Sequence, residues 1–189
     1  WIELLKADNE NSETITEVEK DVARLSTITE RFSKIGSSPL LKNENLAMVL
    51  NMSVSYFKKR VSDKILFSTS FGINETILAP LNPPLFEWVI ENIFKNAIDA
   101  MEGKGTLDIQ IIESPSQIFI DITDSGKGIA KSRYNTIFKP GFTTKERGWG
   151  LGLSLSKRII EEYHNGKIFI KKSEINKGTT MRIALNKIV

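Results

Sequence analysis

The sequence predicts an α+β fold, with one sheet covered on one face by helices and a helical hairpin fragment ahead of it. Apolar residues recur at three- and four-residue steps between Ile15 and Ile35, the signature of a striped helix. After Pro39, β-rich runs joined by short turns dominate, and two apolar helical patterns near 85–101 and 151–163 interleave with them.

At 189 residues and 40% hydrophobic, the chain holds one domain of ordinary size plus an appendage. Lys+Arg 26 against Asp+Glu 23 gives a net charge of +3, a mixed surface on which no nucleic-acid partner is expected. The absence of cysteine excludes disulfides, thiol catalysis and Cys-ligated metals. A single histidine argues against a His-based metal cluster or a Ser-His-Asp triad. No apolar run approaches the ~18 residues of a membrane span and no signal peptide is visible, so no membrane contact is expected of this segment. The chain starts at Trp1 without a methionine and reads as a piece of something longer.

In order, Trp1-Ile2-Glu3-Leu4-Leu5 resembles the tail of an apolar-faced helix, followed by the polar turn Asp8 to Asn11. A long helix follows, capped by Asn11 or Ser12, striped by Ile15, Val18, Val22, Leu25, Phe32 and Ile35, broken at Thr29 and stopped at Gly36-Ser37-Ser38-Pro39. Residues 1–38 are therefore expected to form a hairpin with one arm short, and 39–189 a second domain. In that domain the pattern predicts a helix at 44–60 and strands at 64–71 and 75–79. Pro80, Pro83 and Pro84 then interrupt the backbone before a buried helix at 85–101. Strands at 106–112 and 117–123, a loop-rich stretch at 125–149, a helix at 151–163 and strands at 167–172 and 179–185 complete it.

Three constellations carry chemistry. In the helix at 85–101, Asn92, Asn96 and Asp99 fall at i, i+4 and i+7 on one face of an otherwise apolar surface. They form either a solvent-facing side or a hard-cation and phosphate site, since amide and carboxylate oxygens suit Mg²⁺. Asp124-Ser125-Gly126-Lys127-Gly128-Ile129 follows a strand directly; a carboxylate there can accept from an exocyclic amine, though D-x-G-x-G is also a common tight turn. Gly148, Gly150 and Gly152 precede the 151–163 helix, as in a phosphate cradle or an ordinary capping loop. Between them, Phe138 and Phe142 stand among Pro, Gly and basic residues, suggesting a mobile flap with two exposed aromatics or a plain surface loop.

Their order and spacing are specific. N-x-x-x-N-A-x-D-A (Asn92 to Ala100), D-x-G-x-G (Asp124 to Gly128), F-x-P-x-F-T-T-K (Phe138 to Lys145), G-x-G-L-G-L (Gly148 to Leu153) and G-T-T (Gly178 to Thr180) resemble the N, G1, F, G2 and G3 boxes of the sensor histidine kinase ATP-binding domain. The likeness covers roughly 40–187, and the hairpin before it resembles the end of the family's dimerisation and phosphoacceptor domain. The resemblance implies a two-layer α/β sandwich of the Bergerat type and ATP with Mg²⁺ as cofactors. Asn96 would bind the metal with Asn92 beside it, and Asp124 would read the adenine amine, with Gly126, Gly128 and Ile129 around the ring. Phe138, Thr143, Thr144 and Lys145 would belong to the lid, Gly148, Gly150, Leu151, Gly152 and Leu153 would line the triphosphate, and Thr179 or Thr180 would support the adenine pocket.

The same resemblance implies γ-phosphoryl transfer to a histidine outside this chain and relay to an aspartate on a response regulator receiver domain. It also implies a homodimer through the hairpin, expected to be weak or irregular with one arm short, and a cytoplasmic location for this fragment of a full-length protein expected at the inner membrane. Two departures stand out. Many members carry Lys where this chain has Asp99, and the phosphoacceptor histidine box is missing. His164 reads as a helix C-terminal histidine set against the dipole. Hydrolases of the same architecture carry a Glu at the position of Asn92 as general base, and Glu91 is rotated about 100° away. A degenerate nucleotide-sensing or dimerising module remains the other class, distinguished by whether ATP binds at all.

Overall fold

The computed structural model describes residues 39–72, 75–145 and 149–187. The expected hairpin at 1–38, the domain boundary behind it, dimerisation through it, and Gly148 lie outside the described residues.

The described chain opens with β1 (Lys42–Asn45), which pairs antiparallel with β3 (Leu78–Leu81) in a two-stranded ribbon. This corrects the expectations of a single sheet and of a helix beginning at 44. Asn45 decides the boundary: its side-chain oxygen accepts from the N–H groups of Ala47, Met48 and Ile77, capping α1 (Leu46–Lys58) and tying it to the approach of β3. α2 (Pro83–Ala100) begins earlier than expected, because Pro83 and Pro84 start it rather than interrupt it. Asn82 caps it, and proline's fixed φ and missing N–H suit a first helical turn, where that donor would have no partner.

The main sheet runs in the order β2-β4-β5-β7-β6. β2 (Ile65–Thr69) pairs parallel with β4 (Gly105–Glu113), while β5 (Gln117–Asp124), β7 (Gly178–Asn186) and β6 (Lys167–Glu174) add antiparallel neighbours. Two 3₁₀ turns, Lys131–Arg133 and Thr136–Phe138, lie within the stretch expected to be loop. α3 (Gly152–Arg158) then widens into a π-helical turn, Ile159–Tyr163, whose last bond joins the His164 N–H to the Ile159 carbonyl.

Strand alternation separates two faces. Leu107, Ile109, Ile118, Ile120, Ile122, Ile168, Met181 and Ile183 point to the buried face, where Phe86, Ile90 and Phe94 of α2 and Leu46 and Leu50 of α1 complete the core. Phe94 takes Phe57 and Phe67 edge-on at 5.5 and 6.1 Å. The other face is mixed, with Leu66, Ile112, Phe119 and Phe169 beside a charged cluster. Asp121 accepts two bonds from Arg182 (2.6 and 2.8 Å) and one from Lys171 (2.7 Å), and these partners hold its carboxyl below the ordinary range despite burial. The result is the two-layer α/β arrangement expected, with the ribbon as an addition.

Candidate functional site

Asp124 ends β5 on the helix-facing side, in register with Thr179 of β7, and is buried. Burial raises its carboxyl above the usual carboxylate range, against the opposing pull of the Gly126 and Thr179 N–H groups; the Gly126 bond is 2.8 Å. A charge kept in an apolar setting with few donors is under-satisfied and suits a ligand that brings one. The glycines after it serve the protein's own backbone. A Cβ on Gly126 would lie 2.7 Å from the Ala100 carbonyl at the end of α2, and Gly128, at φ +69°, would meet the Glu174 carbonyl. Close chain packing thus requires glycine at both positions.

The alternation that brings Thr179 beside Asp124 turns Thr180 to the opposite face, where its hydroxyl bonds that of Thr123 at 3.0 Å. The Ile129 N–H donates to Ser173 Oγ at 2.7 Å.

The row on α2 divides in direction. Asn92 turns to the start of α3, its amide reaching the Gly152 carbonyl at 3.5 Å and Ser156 Oγ at 3.4 Å. Asn96 and Asp99 turn to the loop before α3, where the Lys145 ammonium donates to Asn96 Oδ1 at 2.9 Å and also to Asp99 Oδ2. Two hard oxygens one helical turn apart thus already share a cation. That donor set fits Mg²⁺, which takes one or two protein oxygens and completes its shell with water and substrate phosphate. Among the described residues, no group of three or more His, Asp or Glu forms a self-sufficient metal cage.

The loop itself is anchored. Phe138 is buried, with the Lys157 ammonium 5.8 Å from its ring centre, and Phe142 is half-buried, which corrects the expectation of two exposed aromatics. The Gly141 N–H donates to the Gly150 carbonyl at 3.1 Å, closing the loop at its neck. Gly150 sits at φ +64°, and a Cβ there would lie 2.4 Å from the Gly141 carbonyl carbon. Thr143 Oγ1 accepts from the Lys145 N–H, and Thr144 is exposed. Leu151, Gly152 and Leu153, half-buried, lead into α3.

His164 is buried against Phe86. Its Nε2 accepts from the Asn82 N–H at 3.1 Å and its Nδ1 bonds the Ile159 carbonyl at 3.0 Å, so the ring carries its proton on Nδ1 and is neutral. Burial lowers its pKa, so it meets the helix end as a neutral donor.

Sequence reasoning missed Ser156, Tyr134 and Ser173. Ser156, four residues after Gly152, was findable from helical spacing. Tyr134 and Ser173 meet only because of an irregularity in β6.

Residues 82–188 match the family described as Histidine kinase-, DNA gyrase B-, and HSP90-like ATPase. A curated relative, sensor histidine kinase ZraS of Salmonella typhimurium, is 33% identical over 98% of this chain, which spans 40% of that protein's length. Sporulation kinase A of Bacillus subtilis is 40% identical over 52% of this chain and 16% of its own. Among solved structures, the nucleotide-free catalytic domain of histidine kinase ThkA superposes with a TM-score of 0.66 at 27% identity, covering 78% of this chain and 95% of that one. ThkA in complex with the response regulator protein TrrA shares the fold, with a TM-score of 0.70 at 24% identity over 95% of this chain and 52% of that one.

Proposed function

The chain belongs to the histidine kinase-, DNA gyrase B- and HSP90-like ATPase family and carries the ATP-binding domain of a sensor histidine kinase, and from that premise we propose that it binds ATP with Mg²⁺ and donates the γ-phosphoryl group to a histidine outside this chain. The observation that carries the site assignment is Asp124, a buried carboxylate at a strand end with a raised pKa. It accepts from the adenine amine, with Thr179 beside it. Asn96 and Asp99 would hold the metal, which would supply neutralisation of phosphate charge. Lys145 moves its charge from Asp99 to the phosphates. Leu151, Gly152 and Leu153 border the triphosphate, and Asn92 fixes the start of α3 relative to α2.

Phosphoryl transfer by positioning and charge neutralisation suits this set better than hydrolysis. The Asn92 amide is not a base, and Glu91 is paired with Lys95. The acceptor is not His164, the chain's one histidine, because both of its ring nitrogens are occupied and the ring is buried. A response regulator receiver domain as the next acceptor is supported by the relative solved with its regulator. We infer a homodimer through the N-terminal hairpin and a cytoplasmic location for the domain, within a membrane-anchored protein. Among the described residues no helix is long and apolar enough to cross a membrane.

Calorimetric titration with ATP, with and without Mg²⁺, tests the proposal on this chain and on Asp124→Asn. Mg²⁺-sensitive binding that the substitution removes is the expected result, followed by phosphoryl transfer to a supplied histidine-bearing helix. A folded chain that binds no ATP sinks it.

A further inference from the structure

β6 carries a one-residue irregularity between Ile170 and Lys172 in its pairing with β7. Ile168 and Ile170 face the core; without the extra residue Ser173 would point to the opposite, polar face. The bulge turns Ser173 inward, in register with Thr179, which is itself in register with Asp124. Three polar side chains on three strands therefore line up on the buried face. Ser173 lies on an edge strand, and Tyr134 satisfies its outward main-chain groups: the phenol accepts from the Ser173 N–H at 2.8 Å and donates to the Ser173 carbonyl at 2.7 Å.

Counting protons fixes the direction of the chain of bonds. Ser173 Oγ accepts from the Ile129 N–H at 2.7 Å and lies 3.0 Å from the Gly178 carbonyl, which only accepts. For all three contacts to be hydrogen bonds, the single serine proton goes to Gly178. The 2.8 Å contact between Ser173 Oγ and Thr179 Oγ1 must then be donated by Thr179. With its proton spent on Ser173, Thr179 Oγ1 presents only lone pairs to a ligand at Asp124. Asp124, ionised, also only accepts.

We propose that Ser173, held by Tyr134, is a positioning residue that sets nucleobase specificity by making Thr179 an obligate acceptor, so that the pocket favours an amine over a carbonyl at position 6 of a purine. Resting on the nucleotide-binding reading, the device works directly or through one bridging water. A purine carbonyl there meets two acceptors and no donor. Buried polar groups left facing their own kind are where hydrogen-bonding sites gain discrimination.

The test compares ADP with inosine diphosphate, which carries a carbonyl in place of the amine, by calorimetry on the full chain. The wild-type chain should prefer ADP strongly. Ser173→Ala frees the Thr179 hydroxyl to donate, and the preference should fall about tenfold, with ADP binding weakened and inosine diphosphate binding held or improved. Ser173→Thr, which restores the hydroxyl, should recover the preference. Tyr134→Phe should shift it in the same direction by less, and covers the case of a Ser173→Ala chain that does not fold. A preference within twofold of wild type in folded Ser173→Ala or Tyr134→Phe overturns the inference; a folded wild-type chain that binds neither nucleotide overturns the reading beneath it.

Discussion

The two ends of the site are built differently. At the base end, Thr179, Ser173, Ile129 and Tyr134 are joined by bonds of 2.7–2.8 Å, with Asp124 in register beside Thr179 on a buried sheet face. At the phosphate end, Asn96, Asp99 and Lys145 meet at the surface, with the Asp99 and Lys145 side chains about half exposed. An exposed ion pair holds its partners weakly, typically by about 0–1 kcal/mol, so its lysine can be redirected at little cost. The base end is preorganised, whereas the phosphate end is held by a contact that a triphosphate with its metal can replace. On the proposed assignment, specificity falls to the rigid end and charge capture to the adaptable one.

Asp124→Asn should break the comparison most severely. ATP affinity should fall by a hundredfold or more, on the order of 3 kcal/mol, because the amide offers a donor where the base offers another. The same change should raise the melting temperature of the ligand-free chain. The folded-state pKa of Asp124 lies above its unfolded value, so at neutral pH the ionised group costs stability, and a neutral isostere removes that cost. Calorimetry and thermal denaturation of one sample read both effects; a variant that loses binding and melts lower would count against this account.

Gly150→Ala tests whether the neck of the loop matters more than its tip. A Cβ at φ +64°, 2.4 Å from Gly141, should open the Gly141 to Gly150 closure and cost about 1–3 kcal/mol locally. ATP affinity should drop roughly tenfold while adenosine binding changes little. Lys145→Ala should act at the same end more mildly, with a several-fold loss for ATP that shrinks as salt is added and vanishes for adenosine. Equal losses for adenosine and ATP in either variant would erase the distinction between the ends.

The smallest effects come with pH. ATP binding should weaken on acidification at a higher pH than for an ordinary aspartate, since the ionised Asp124 is the form that accepts. His164 acts on stability with the opposite logic. Its folded pKa lies below the ordinary 6.5, so its contribution is complete above that value and declines as pH falls toward the folded pKa. Replacing His164 with Gln should flatten that slope in denaturation curves and leave the binding profile unchanged.

Much of the fold was legible because long apolar periodicities report burial directly. The segment at 85–101 and the strands of β4, β5 and β7 appear within a few residues of the expected bounds. The ribbon was not legible, since Lys42–Asn45 carries no apolar residue and Pro80 argues against a strand, yet β3 tolerates it at an edge. Pro83 and Pro84 were read as breakers because a proline pair looks the same before a helix as inside its first turn; only Asn82 acting as the cap distinguishes the two. In the site, Asp124, Asn96 and Lys145 were findable from motif order. That Asn92 ties α2 to α3 depends on helix packing, that Thr179 rather than Thr180 faces the helices depends on strand register, and that Ser173 turns inward depends on a single bulge in β6.

The bond between Gly141 and Gly150 has an evolutionary reading. Both feet of the loop stand on fixed ground, so the chain between them can be lengthened at an entropic cost that grows only slowly with its length. Substitutions and insertions in that arch leave the sheet, the base end and the start of α3 where they are. Apart from Lys145, which reaches Asn96 and Asp99, the arch is thus free to diverge while the base end keeps its arrangement.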